Sequence, residues 1–214
     1  MKINTMDLLF IVVAAFIGYS IGHYRKTYSI SANERKVSNI IELYLDSSSE
    51  VLVNNVTLRL KNGTTTQIDH VLISTKGVFV IESKHYSGWV FGDAKSSKWT
   101  QVIHRKKSQF QSPLRQNYKH VKAIEELFDF LPANAVKSIV VFSGSAKFKT
   151  HMPINVLYAK DLPVYLSSFS DEILSLNRVQ FCLGRLAFAR LPETEETDEM
   201  HIENLRSNVL KLKN

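Results

Sequence analysis

Cysteine is nearly absent: Cys182 is the single one in 214 residues. No disulfide can form within the chain and no cysteine-based zinc cluster can be built, which points to a reducing compartment for the folded part. Cys182 lies between Phe181 and Leu183 in an apolar run and reads as a small buried hydrophobe. Glycine (8) and proline (5) are too sparse for a collagen-like or low-complexity chain. No internal repeat is visible. Neither a G-x-x-x-x-G-K-[ST] loop nor G-x-G-x-x-G, H-E-x-x-H or G-x-S-x-G occurs. NTP hydrolysis, a nucleotide cofactor and the standard hydrolase triads therefore find no support. Acidic residues are in deficit, 20 against 27 Lys plus Arg, giving +7 and a pI near 9.4. That balance suits a polyanion, either nucleic acid or an anionic membrane face. With 44% hydrophobic and 22% charged residues the chain is of globular composition, which excludes wholesale disorder.

One long hydrophobic run is present. Leu8 to Ile21 reads LLFIVVAAFIGYSI without a charge. It is short beside the ~17–25 residues of a membrane span but workable with interfacial help from Tyr19, His23 and Tyr24. A signal peptide would want a more basic start than Lys2 and a better cleavage site; a core helix would not be apolar on every face. A transmembrane anchor at 7–23 is the expected reading, after a short tail (1–6) and before a linker (24–30). Arg25, Lys26, Arg35 and Lys36 follow the run, so the positive side is C-terminal. The expectation is a single-pass protein of the inner (cytoplasmic) membrane with its folded domain in the cytoplasm. Gly18 and Gly22 have the spacing that lets two anchors pack closely, a route to a homo-oligomer.

The soluble part begins with a helix over 31–45, in which Val37, Ile40, Ile41, Tyr44 and Leu45 share one face and Ser31 with Glu34 forms a capping box. Strands are expected at Val51–Leu60, Gln67–Ser74 and Val78–Lys84, with shorter ones at Trp89–Phe91, Trp99–Ile103 and Asn155–Tyr158. Pro113 opens a helix with an apolar stripe of Tyr118, Val121, Ile124, Leu127 or Phe128, and Leu131. Val136–Phe142 reads as a strand at the buried centre of a sheet. Helical patterns follow at 160–168 and 171–189, then an exposed acidic stretch at Glu193–Glu199 and a weak terminal helix near 200–212. The order predicts an α/β fold, a mixed β-sheet flanked by helices. The folded unit spans 31–150, with 151–190 completing it and 191–214 an acidic linker and terminal helix.

Asp69, Glu82 and Lys84 stand in two otherwise apolar adjacent strands. If Lys76-Gly77 is the hairpin loop, Thr75 pairs with Val78, and Asp69 falls opposite Lys84 and one diagonal step from Glu82 on the same face. A register shift of two residues keeps them on that face. Gln67, Asp69, Val71 and Ile73 share this face by alternation, and His70 points away from it as a structural residue. Charges in such strands cost stability unless they are paired or bind metal. Two carboxylates on one point suit Mg²⁺, and an ammonium beside them can hold or deprotonate an attacking water and meet phosphate charge. The rival reading is a carboxylate–lysine salt bridge on a solvated strand.

Gln67-Ile68-Asp69-His70, then Gly77-Val78-Phe79-Val80-Ile81-Glu82-Ser83-Lys84, then Gly88 and Trp99 closely resemble the NERD (nuclease-related) domain, a family similar to the PD-(D/E)XK nucleases. Pro113-Leu114-Arg115-Gln116-Asn117 and Glu34 also match its pattern; Asn33, where the family usually has Gly, departs from it. The resemblance covers roughly 31–131. It implies a restriction-endonuclease-like core and a hydrolase using Mg²⁺, with Mn²⁺ as the alternate ion. Asp69 and Glu82 would be metal ligands and Lys84 the catalytic ammonium. Glu34 would complete the metal site, unless capping is its whole role. Gln116 would position Lys84 or the phosphate, unless it satisfies a buried backbone group.

Lys98, Arg105, Lys106, Lys107, Arg115 and Lys119 belong to a basic cluster between residues 95 and 122 and are expected to contact a phosphate backbone without reading sequence. Anionic lipid is the alternative partner. Lys147 and Lys149, beside His151, extend the same face. Trp89, Phe91, Trp99 and Phe110 are interleaved and can stack on unpaired bases, although short strands favour the core for both tryptophans. The leading expectation is a membrane-anchored, metal-dependent nuclease acting on DNA or RNA. The alternative is an inactive nucleic-acid-binding or protein-interaction module at the membrane.

Overall fold

The computed structural model describes residues 32–45 and 49–211. The anchor at 7–23, its flanking tail and linker, Gly18, Gly22 and Ser31 lie outside the described residues. Among the described residues, no helix is long and apolar enough to cross a membrane.

Two sheets organise the described residues. After helix α1 (Ala32–Glu42) come β1 (Glu50–Arg59), β2 (Thr65–Ser74) and β3 (Gly77–Lys84), an antiparallel meander. Strands β4 (Gly88–Phe91), β5 (Lys98–Ile103) and β6 (Lys106–Gln111) follow, then α2 (Pro113–Leu127), β7 (Val136–Phe142), β8 (Ala146–Phe148) and β9 (Val156–Tyr158). A 3₁₀ turn (Ala159–Asp161) leads into α3 (Leu162–Ser167), α4 (Leu176–Ala189) and α5 (Glu195–Lys211). The larger sheet has the order β1-β2-β3-β7-β9, with β7 and β9 parallel to β3; the smaller has the order β6-β5-β4-β8. This is a mixed α/β fold with helices on both faces of the main sheet.

Side-chain alternation explains the layers. Val71, Ile73, Val78 and Val80 pack with Val121, Ile124 and Phe128 of α2 and its C-terminal end, and with Val179, Cys182 and Leu186 of α4. Leu72, Phe79, Ile81, Ile139 and Val141 point the other way, onto Val37 and Ile41 of α1 and Leu162 of α3. The inner face of the small sheet, including Val90 and Trp99, closes on Val140, Phe142 and Val156. Cys182 is fully buried and its thiol is pushed up to about 11 by that burial, an inert hydrophobe.

Several elements differ from expectation. The β2–β3 loop is Thr75-Lys76, so Ser74 pairs with Gly77. Ser74 Oγ accepts from Lys76 N–H and donates to Gly77 O, fixing this turn. Gly77 is required where it stands: its φ is +128°, and a Cβ would lie 2.6 Å from Ala135 O. Strand β6 occupies a stretch with no apolar alternation, and its turn relies on His104 at φ +52° rather than on an Asn-Gly pair. Tyr44 and Tyr118 are exposed rather than in their apolar stripes; polar Ser38, Asn117 and His120 are buried instead. The helix expected at 171–189 begins at Leu176, capped by Ser175, whose side chain accepts from Arg178 N–H. Helix α5 begins at Glu195, earlier than the terminal helix expected near 200–212 and inside the acidic stretch; Glu195, Glu196 and Asp198 of its first turn complement the helix dipole and Thr197 is buried.

Candidate active site

The site forms where the central strands part company. The β2–β3 ladder ends at His70↔Ile81, whereas β3 stays paired with β7 through Glu82↔Val140 and Lys84↔Phe142. Beyond Ile81, then, β3 has lost its β2 partner. The Asp69 carboxylate takes over: Oδ2 accepts from Ser83 N–H at 2.8 Å and from Ser83 Oγ–H at 2.9 Å. The β1–β2 ladder also skips the Asn55–Asp69 pair, and Asn55 has φ +51°. Both strands turn over at this point. Ile68 and Val71, three residues apart, enter the same core cluster, so the face assumed to be shared by Gln67, Asp69, Val71 and Ile73 is broken at Asp69.

Glu82 and Lys84 face α2. Lys84 Nζ donates to Glu82 Oε1 at 2.5 Å and to Gln116 Oε1 at 3.1 Å. Glu82 is 1% exposed, and its Oε2 lies 3.1 Å from His120 Nε2, close enough for an ion pair but not aligned as a hydrogen bond. His120 Nδ1 is 2.7 Å from Thr66 Oγ1. Asn117, fully buried beside Gln116, donates to Val80 O, Ser138 Oγ and Ile139 O and so nails α2 to β3 and β7. His70 points to the opposite face, 2.7 Å from Asn54 Oδ1, and burial lowers its pKa to about 4, so it is neutral at pH 7.

The two carboxylates titrate apart. Burial and then the charge of Glu82 raise Asp69 to about 7, with a smaller push from Glu34 on α1; the Ser83 N–H opposes them. Burial acts on Glu82 in the same sense, but the His120 and Lys84 contacts outweigh it and hold Glu82 below the usual carboxylate range. Burial alone would lower Lys84, yet Glu82 and Asp69 raise it. Lys84 is therefore an ammonium at neutral pH. Glu34 of α1 acts on Asp69 by its charge; among the described residues, no three His, Cys, Asp or Glu side chains form a metal-binding cluster.

Residues 31–143, just over half of the chain, match the family model of NERD, the nuclease-related domain. This chain belongs to the NERD family. The chain is also similar to an uncharacterized protein of Bacillus anthracis, at 33% identity over 99% of this chain and the whole of that one. No solved structure matches it.

The NERD match makes the arrangement of basic residues informative. Lys98, Arg105, Lys106, Lys107, Arg115 and Lys119 are all exposed, and they are spread over the small sheet and α2. Lys98 and Lys107 share the outer face of the small sheet, Arg105 sits in the β5–β6 turn, Lys106 faces the other way at the sheet edge, and Arg115 and Lys119 lie on α2. Arg115 Nη2 donates to Lys95 O, tying α2 to the small sheet's loop. His120 and Ser83 are absent from the expected site. His120 stands one helical turn after Gln116, a spacing that puts both on the face toward Glu82 and Lys84.

The Asp69 shift gives a stability prediction for this NERD domain. Its ordinary value is 3.8 and its folded value about 7, so the folded chain holds a proton that the unfolded chain releases between those limits. Stability is lost as pH rises through that window. Asp69→Asn keeps an acceptor for Ser83 and removes the charge. At pH 8 it should raise Tm by a few degrees, taking about 1–2 kcal/mol at roughly 2–4 °C per kcal/mol. At pH 4, where Asp69 is already protonated, thermal melts of the two proteins should coincide. An Asn variant melting lower than the parent at pH 8 would contradict this.

Proposed function

We propose that this chain is a divalent-metal-dependent nuclease with a restriction-endonuclease-like core, held at a membrane by residues 7–23. The observation that carries the reading is the Lys84 ammonium gripped by Glu82 and Gln116 beside Asp69, at the point where β2 and β3 separate. Burial first, and then the Glu82 charge, raise Asp69 to about 7, so a cation held between the two carboxylates would offset a cost already present there. Asp69 and Glu82 supply the oxygen donors that Mg²⁺ takes together with waters and phosphate oxygens. Mg²⁺ or Mn²⁺ bound there supplies Lewis acidity and a more acidic water. Lys84, protonated and fixed, meets the charge that develops on the phosphoryl oxygens and orients the water; it is too firmly held as a cation to be the base. Gln116 positions Lys84, and Glu34 adds negative field at Asp69. Arg105, Lys106, Arg115 and Lys119 hold phosphate backbone. The uncharged run 8–21, with Arg25 and Lys26 after it, supports a single membrane pass and a cytoplasmic domain.

A second reading has its own support. Both Glu82 oxygens already have neighbours, Lys84 and His120, which suits a closed structural pair in an inactive binding module. Incubating the full chain with single- and double-stranded DNA and with RNA separates the two. Cleavage with Mg²⁺ or Mn²⁺, abolished by chelator and restored by added metal, is the expected result. Salt-sensitive binding with no cleavage under any metal would establish the binding module.

A further inference from the structure

We propose that the outer face of the small sheet binds single-stranded nucleic acid, with an unpaired base stacking on Trp89. This deepens the nuclease reading by naming the strandedness of its substrate, and it rests on that reading for the identity of the polyanion. The pairings place residues of one face in rows across the sheet. Trp89 is opposite Val102 on one side and Lys147 on the other, and Val102 is opposite Lys107, so one row reads Lys107, Val102, Trp89, Lys147. The next contains Gln109, Thr100 and Phe91, and a third Gln111 and Lys98. The opposite face carries Val90, Trp99 and Ala146 into the core.

Trp99 is 1% exposed, as expected of a core residue, but Trp89 is 50% exposed on an open surface. Trp89 belongs to none of the three buried hydrophobic clusters. Strands β4, β5, β6 and β8 contain no Asp or Glu, while Lys98, Lys106, Lys107 and Lys147 stand in them. Lysines at both ends of the Trp89 row lie on the order of 14 Å apart, three strand spacings of about 4.8 Å. An aromatic flanked by cations on a flat sheet is a stacking platform with phosphate contacts on either side. Gln109, Gln111 and Thr100 supply hydrogen-bonding groups to base edges, which a lipid-facing surface would not need. A duplex presents no free base face to the indole. Lys149 Nζ lies over the Trp89 ring at 4.7 Å from its centroid. An arriving base would take its place, and the ammonium would pass to a neighbouring phosphate. Three residues, His85 to Ser87, separate β4 from Lys84, so the platform lies a short link from the candidate active site.

The chain has two tryptophans and Trp99 is buried, so quenching of the intrinsic fluorescence by a stacked base reports on Trp89. The test titrates the full chain with a 12-nucleotide oligothymidylate, with the same oligonucleotide as a duplex, and with anionic vesicles containing phosphatidylglycerol, all in chelator so that cleavage plays no part. Expected are quenching by the single strand and weaker binding of the duplex. By anisotropy of a labelled strand, Trp89→Ala should lose roughly ten-fold or more in affinity, and Trp89→Phe should lose less. The Lys107→Gln/Lys147→Gln double variant should reduce the slope of log K against log salt by about 1.4, at roughly 0.7 per phosphate contact. A merely structural role for the lysines would leave that slope unchanged. Equal affinity for single strand and duplex with unquenched Trp89, or a fluorescence response to vesicles alone, would overturn the proposal. The nuclease reading fails separately: cleavage without quenching removes the platform and keeps the enzyme, while quenching without cleavage does the reverse.

Discussion

Replacing Lys84 by Ala should lower phosphodiester cleavage by at least 10³-fold, about 4 kcal/mol of transition-state stabilisation, while affinity for nucleic acid in chelator changes little. Lys84 is held from two sides, by Glu82 Oε1 and Gln116 Oε1, so its charge is in place before substrate arrives. Such preorganisation is what makes a fixed cation worth more than a mobile one. The substitution also has a structural cost. Glu82 is 1% exposed and would keep only its His120 neighbour, and leaving a buried carboxylate undercompensated destabilises, here by roughly 2 kcal/mol because the Lys84 side chain is itself 20% exposed. Single-turnover cleavage should therefore be compared well below the melting temperature. Adding Glu82→Gln to Lys84→Ala removes the stranded charge and should recover stability without recovering cleavage. Recovery of both would show that Lys84 serves the fold alone. Gln116→Ala, which loosens Lys84 but leaves its charge, should cost only about ten-fold.

Asn117→Ala should lower stability by about 3 kcal/mol, seen as a drop in Tm of roughly 6–12 °C at 2–4 °C per kcal/mol. A single amide nitrogen serves Val80 O, Ser138 Oγ and Ile139 O, so one substitution strips a donor from two adjacent strands at once. The Asn117 Oδ1 has no hydrogen-bond partner, which offsets part of the loss when the side chain goes. Asn117→Asp separates donor loss from packing. It keeps the shape, removes every donor and sets a buried carboxylate against two carbonyls, so it should destabilise more than Ala does. If Asp were the milder change in thermal melts, the three bonds would not be what anchors α2. The placement of Gln116 and His120 depends on that anchor.

Much of the fold could be read from the chain because its central strands announce themselves. Val136–Phe142 and the run ending at Lys84 are β-branched and apolar, and their observed limits match or fall within a residue of expectation. The family read from Asp69, Glu-x-Lys and Pro-Leu-x-Gln-Asn is the family found. What escaped was whatever depends on tertiary context. Strand β6, KKSQFQ, exists because β5 pairs with it, not because its own pattern demands a strand. The hairpin slipped by one pair because Ser74 and Gly77 close around Thr75-Lys76, a turn held by a hydroxyl rather than by a familiar dipeptide. Alternation failed at Asp69, where two strands turn over and a carboxylate replaces a ladder bond. Rules of regular structure break where a side chain is needed for something else. Trp89 and Trp99 look alike in sequence; only the pairing of β4 with β5 and β8 shows that one faces in and the other out.

Among the described residues, strand β6 closes one edge of the small sheet and its outer row of backbone groups has no neighbouring strand. Such an edge is a template for a second copy of the chain, and pairing of this kind is how folded proteins begin to aggregate. Here the edge is lined with Lys106 and Lys107 and carries no acidic residue to offer them a counter-charge. Two copies approaching edge to edge would bring like charges together across the new ladder. The lysines of β6 are thus a built-in guard on colloidal behaviour, and the guard weakens as salt screens them.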